Sequence, residues 1–363
     1  MPIADVPTPP GPAATSLRAA VLQQIPAAWY RPDRRIYWFD LLLSAGIGWG
    51  AFAGVLMLDG AARAVSAGVA TLALYRATMF IHELTHVNAR ELPGFSLAWH
   101  VLVAVPLLVP FFLYDGVHVD HHRPRVYGTR ADPEYVPFGH RPPWVMTLFG
   151  LAASLFPVAM VFRFGVLAPL SWACPPFRRA LVARGSSLVI NHAYTRQRPL
   201  GRSGVVQEIA CAVFCWCGAV AWLTGAVGTR VVLAWALVGG AAATINAVRV
   251  LGAHRYASDG QEVTTLGQLM DSTTLIAKPE RGLRAAAELL VAPMGLRYHA
   301  LHHWIPALPY HTLGHAHRYL VALADADPYR GTMSSLPAAV RDLVARARRT
   351  TSATGSGQGP VRK

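Results

Sequence analysis

Eight of the fifteen histidines stand in three short motifs: His82-Glu-Leu-Thr-His86, His118-Val-Asp-His121-His122 and His299-Ala-Leu-His302-His303. At this histidine frequency, one H-x-x-H-H would arise by chance in about one such chain in forty, and two in about one in a few thousand. The spacing has a physical reason. Residues i and i+4, or i and i+3, share one face of a helix. His82 and His86 can therefore aim at one centre, as can His118 with His121 or His122, and His299 with His302 or His303. Neighbours such as His121 and His122 diverge by about 100°. A doublet thus serves two adjacent metals better than it chelates one. Eight imidazoles exceed the usual four ligands of a single zinc, so two ions are the economical reading. Imidazole accepts Fe, Zn, Cu and Ni alike, so spacing does not name the metal.

His82-Glu83-Leu84-Thr85-His86 is also H-E-x-x-H, the zinc metalloprotease pattern with Glu83 as base. That reading leaves both H-x-x-H-H motifs without a role. Cys211 and Cys215 are one helical turn apart, yet neither has a polar neighbour to complete a metal site. A net charge of +14 raises nucleic acid binding. Most of the Arg residues, however, lie in the lead, the loops and the tail, without regularly spaced aromatics. No nucleic acid partner is expected.

Stepping from the motifs to the elements that must carry them, composition decides the class. Apolar residues make up 53% and charged residues 14%, against about 25% charged in soluble domains. Apolar runs at Ile36–Leu58, Ala61–Ile81, Val205–Val227 and Thr229–Arg249 each match the length of a membrane crossing, about 20 residues. They form two tight hairpins, the second rich in Gly218, Gly225, Gly239 and Gly240 for close packing. Arg31, Arg34 and Arg35 precede the first run and place the N-terminus in the cytoplasm. The runs Phe95–Tyr114 and Trp144–Trp172 contain Pro106, Pro110, Pro157 and Pro169 and read as re-entrant or interfacial. If both dip and return, every histidine cluster lies on the cytoplasmic side.

The expected fold is therefore an all-α integral membrane protein. It has four transmembrane helices in two hairpins, re-entrant segments, and a cytoplasmic helical cap carrying the clusters. Residues 1–30 read as a disordered or interfacial lead, with a short surface helix at Ser16 to Gln24 and no signal peptide. Residues 31–325 form the membrane domain. Residues 326–363 hold a C-terminal helix and a basic tail, disordered from about Arg346, so both termini are cytoplasmic.

At its three histidine boxes the chain resembles the membrane fatty acid desaturase family, whose pattern is H-x(3,4)-H, H-x-x-H-H and H/Q-x-x-H-H. The resemblance runs from about Tyr37 to Tyr319. Gly295-Leu-Arg-Tyr-His-Ala-Leu-His-His303 with Pro309-Tyr-His-Thr-Leu-Gly314 is similar to third-box sequence of bacterial members. It implies two iron ions held by His82, His86, His118, His121, His122, His299, His302 and His303, with His254 at the end of the last span as one more. The stearoyl-CoA desaturase arrangement puts an Asn four residues before that histidine. Val250 stands there, and the nearest Asn is Asn246. Glu83 and Asp120 could accept a ligating imidazole's N–H. Asp259 and Asp271 are further acids of this kind, each equally readable as a solvated charge. His311, His315 and His317 are either outer donors, docking residues for an electron donor, or a solvated helix face.

The resemblance further implies O2-dependent desaturation of a fatty acyl lipid, acyl-CoA or acyl-carrier substrate, with hydroxylation on the same scaffold as the alternative. Arg123, Arg125 and Arg130 could meet an anionic headgroup or carrier. With no cytochrome b5-type motif and no clustered cysteines, electrons would come from an external ferredoxin, cytochrome or reductase. A non-enzymatic membrane metal transporter would predict polar residues through the spans. Apart from Arg76 and Thr244 to Asn246, few are found.

Overall fold

The structure, a computed structural model, describes residues 21–276, 282–323 and 327–355. Contacts divide the chain into two compact units. One comprises residues 32–119 and 144–250, the other residues 1–31, 120–143 and 251–363.

The first unit holds the long apolar helices. Helix α1 (Arg34–Met57) starts where the Asp33 carboxylate accepts from the N–H groups of Arg35 and Ile36, satisfying donors that a helix start leaves open. Helix α2 (Gly60–Glu83) returns after a two-residue link and ends on the first histidine box. Arg76, costly inside an apolar span, is paired with Asp40 of α1 at 2.6 Å. The helical part of the next stretch, Phe95–Ala104, has ten residues, about half a crossing. Leu108 then adopts φ +56° ahead of Pro110. Helix α3 (Val117–His121) carries the second box, and the division between units falls inside it.

The following stretch differs from expectation. It consists of α4 (Trp144–Ser154) and α5 (Phe156–Ala173), and α5 is long and apolar enough to cross a membrane. With α6 (Arg202–Leu223) and α7 (Thr229–Ala253), five described helices meet that criterion rather than four. The reason lies in the prolines. Pro157 sits in the first turn of α5, where the missing N–H would be unbonded anyway, and Pro169 follows the π-helical turn Arg163–Leu167 inside it, where the hydrogen-bond ladder is already shifted. Neither ends the span. Arg163 of α5 is buried and donates to Glu208 of α6 at 2.8 Å, while Arg178 reaches the other Glu208 oxygen at 2.6 Å. A Cβ at Gly240 of α7 would meet the Ser154 carbonyl and one at Gly239 the Pro157 ring, so these two glycines let α7 approach α4 and α5 closely, whereas Gly218 and Gly225 face open space.

The second unit is built from shorter elements. These are α8 (Thr265–Asp271), α9 (Leu283–Val291), the box-three helix α10 (His299–Trp304), α11 (Tyr310–Ala322) and α12 (Leu336–Gly355). Two-residue strands β1 (Thr274–Leu275) and β2 (Met333–Ser334) pair in parallel. Leu269, Leu301, Trp304, Leu313 and Leu320 form its core. Two expectations of disorder are corrected here. Val21 and Ile25, one turn apart, are buried in that same core, and the Trp29 carbonyl accepts from Thr312 Oγ1 at 3.0 Å. An apolar stripe at i, i+4, i+8 docks the end of the lead; residues 1–20 lie outside the described residues. Likewise α12 runs on past Arg346 to Gly355, because Ala339, Leu343 and Ala347 repeat every four residues and are buried. Residues 356–363 lie outside the described residues.

Candidate metal centre

Within the first unit, three histidines converge. The end of α2 continues through the turn bonds Thr85 N–H to His82 O (3.1 Å) and His86 N–H to Glu83 O (3.0 Å). These keep His82 and His86 on one face, with ring centroids 5.2 Å apart. His118 joins them from α3, at 4.3 Å from His82 and 5.0 Å from His86. One ring nitrogen of each lies within 4.8 Å of the others, a donor set able to hold a metal ion. His118 Nδ1 is 3.0 Å from the Tyr114 hydroxyl. Glu83 is buried 3.7 Å from His82 Nδ1, and its Oε2 accepts from Tyr37 at 2.6 Å. Desolvation, reinforced by the neighbouring His82 and opposed by Glu83, pushes His86 down to about 3. The ring is therefore neutral at physiological pH and keeps a lone pair.

Within the second unit, His121, His254, His299 and His303 are all buried and offer nitrogens within 4.8 Å of one another. His299 Nε2 lies 2.9 Å from His254 Nε2 and 3.1 Å from His303 Nε2. The adjacent His302 turns elsewhere, with its Nε2 3.0 Å from His122 Nε2. The box-three doublet thus splits in direction, as expected of successive residues on a helix.

Three rings of this group are held from behind. Asp132 takes His121 Nδ1 with both carboxylate oxygens, at 2.9 and 3.0 Å. The Tyr127 hydroxyl is 2.8 Å from His254 Nδ1, and the Gln268 side-chain amide is 2.9 Å from His303 Nδ1. Backing of this kind fixes a ring's orientation and leaves its other nitrogen for a metal. Burial works to lower His121, but the Asp132 carboxylate outweighs it and the net shift is upward. His303 is driven well below the ordinary histidine value by burial and by the other rings, His122 first. Asp271, fully enclosed, is raised by burial against the opposing Ala257 N–H and the Tyr127 and Tyr135 hydroxyls. Donor set, burial and backing fit two metal ions of the kind imidazole binds.

The remaining candidates fall elsewhere. Asp120 pairs with Arg123 at 2.7 Å, and the carboxylate on His121 is Asp132 instead. Successive residues on a helix point apart, whereas i and i+3 meet. Asn246 accepts from Arg249 Nε at 3.0 Å. His315 faces Trp29 and Arg318, and His311 stands beside Tyr310. His317 is bonded to the Tyr329 hydroxyl at 2.7 Å. Sequence reasoning missed Tyr114, Tyr127, Asp132 and Gln268, none of which lies in a box. Their only sequence signal is polar or phenolic character close to a box in the chain, which Gln268 lacks altogether.

The fatty acid desaturase family profile matches residues 60–336. A ceramide hydroxylase of Caulobacter vibrioides (strain NA1000 / CB15N) is 40% identical over 323 residues, covering 87% of this chain and 90% of that protein.

Proposed function

The chain belongs to the fatty acid desaturase family, and from that premise we propose that it is an O2-dependent, two-iron membrane enzyme hydroxylating a ceramide-type lipid. The observation that carries the metal reading is the pair of convergent histidine groups, one in each unit, with ring nitrogens backed by Asp132, Tyr127, Gln268 and Tyr114. What favours hydroxylation is likeness to a ceramide hydroxylase over most of both chains. Desaturation of a fatty acyl chain is the second reading, favoured by the family profile itself.

His82, His86 and His118, with His121, His122, His254, His299, His302 and His303, are the proposed ligands. Bound iron would supply what side chains lack, the activation of O2 against an unactivated C–H bond. The chain's residues orient and insulate. Asp132 holds His121 by Nδ1, and the partners of the other rings do the same work. Burial of both groups excludes water from the reaction. Hydroxylation converts C–H, O2, two electrons and two protons to C–OH and water. Desaturation takes hydrogen from two neighbouring carbons and, with the same O2, electrons and protons, yields C=C and two waters. An external ferredoxin, cytochrome or reductase would deliver the electrons. Arg31, Arg34 and Arg35 ahead of α1 argue for a cytoplasmic active site and cytoplasmic termini.

Two measurements test this reading. Iron content and 57Fe Mössbauer spectra of detergent-purified protein should give about two irons per chain, reduced in His121→Ala. Mass spectrometry of lipids formed under 18O2 should then find one 18O in the product. Loss of two hydrogens without label would establish desaturation instead. A single tightly held zinc and no iron would sink both and bring the H-E-x-x-H protease reading forward.

A further inference from the structure

The second-unit group contains a hydrogen-bond chain that no histidine box encodes. Tyr127 is fully buried. Its hydroxyl donates to Asp271 Oδ2 at 2.8 Å and lies 2.8 Å from His254 Nδ1. Asp271 accepts twice more, from the Tyr135 hydroxyl at 2.9 Å and from the Ala257 N–H at 2.8 Å. Ser272 Oγ, a second oxygen near His254 Nδ1 at 3.3 Å, donates its own proton to the Gln268 carbonyl at 2.8 Å.

A hydroxyl has one proton to give. Both oxygens facing His254 Nδ1 have given theirs elsewhere, so each can only accept. The hydrogen on that bond must therefore belong to Nδ1. A neutral imidazole protonated at Nδ1 carries its lone pair on Nε2, and His254 Nε2 is the atom that faces His299 Nε2 at 2.9 Å.

We propose that Tyr127 is a positioning residue that fixes His254 in the Nδ1–H form and so commits its Nε2 lone pair to a metal ion. The inference rests on the metal reading above and goes beyond it, since it assigns a role outside the boxes and the family pattern. Tyr127 is a spacer between ligand and carboxylate. His121 meets Asp132 directly, whereas His254 meets Asp271 only through a neutral phenol. The two rings of one group are thereby unequal donors, the carboxylate-backed His121 the more basic.

Tyr135 provides the internal control, since its hydroxyl donates to the same Asp271 oxygen and accepts from the Ser258 N–H. Wild type, Tyr127→Phe and Tyr135→Phe would be purified in detergent, checked for folding by gel filtration, and titrated with 57Fe(II). Tyr127→Phe is expected to weaken one of two irons by about 10- to 100-fold and change that ion's Mössbauer doublet. Tyr135→Phe is expected to match wild type. Equal weakening in both variants would reduce Tyr127 to a structural role and overturn the proposal, as would a wild-type spectrum and affinity in Tyr127→Phe. If Tyr127→Phe does not fold, 15N spectra of histidine-labelled, metal-free wild type, assigned with His254→Gln, decide directly. Protonated Nδ1 supports the proposal and protonated Nε2 overturns it. Wild type that takes up no iron would overturn the metal reading itself, which the comparison of variants distinguishes from failure of Tyr127 alone.

Discussion

The two histidine groups differ in what stands behind them. In the second unit a carboxylate, a phenol and an amide each engage an Nδ1, on rings that are all buried. In the first unit His118 has the Tyr114 hydroxyl, His82 has Glu83 at 3.7 Å, and His86 keeps some exposure. The difference teaches that similar ligand sets can be organised in two ways. A compact group of loops and short helices can bring donors from anywhere in its sequence to each ring. The ends of long apolar helices have few polar side chains to offer, so their rings depend more on the geometry of the helix itself.

The strongest way to break the comparison is to remove a ligand from each group. His303→Ala and His86→Ala should each lower product formation by more than about 100-fold, with iron analysis showing loss of at least one ion. Activity surviving in either variant would mean that its group is not part of the centre. The next largest effect separates the groups. Asp132→Asn should weaken iron binding by about 10- to 100-fold, and Tyr114→Phe by less, in the same 57Fe titration. Equal effects would erase the distinction drawn above.

Protons sharpen it further in metal-free protein. His86 is pushed from 6.5 to about 3 on folding, so between those values the unfolded chain binds more protons. Stability is full above about 6.5 and falls as pH drops towards 3, by up to about 1.4 kcal/mol per pH unit. His121 is shifted the opposite way. Its contribution is full below about 6.5 and is lost as pH rises through the folded value. Denaturation across pH should therefore show His86→Gln flattening the acid limb and His121→Gln flattening the limb above about 6.5. An acid limb unchanged in His86→Gln would show that desolvation of that ring is not what destabilises the protein there.

The smallest effect is on packing. An added methyl at Gly240 would meet the Ser154 carbonyl, and one at Gly139 would meet the Tyr256 carbonyl 2.5 Å away. Each Gly→Ala should cost about 1–3 kcal/mol, read as a lowered unfolding midpoint. A cost at Gly139 alone would indicate that only the second unit is tightly packed.

Much of this was legible in the chain. The boxes named their own residues because i, i+3 and i+4 spacing acts within one helix, and apolar runs of about 20 residues announce spans by length. The prolines are ambiguous in sequence because a proline can open a helix or be absorbed in one, and only the structure shows Pro157 in a first turn and Pro169 just past a π-helical turn. The apolar stripe at Val21 and Ile25 was too short to stand as a helix by itself, and became ordered by packing against Leu301 and Trp304.

By itself, then, the sequence determined the class of solvent, the ligand type and the grouping of ligands within each box, all properties of composition or of spacing within one turn or span. Only the tertiary structure decided which polar group backs each ring. Asp132 is 11 residues from His121, and Asp271 is 144 residues from Tyr127. A hydrogen bond acts over about 3 Å, so its choice of partner is made by the folded positions of distant segments, which no local spacing encodes.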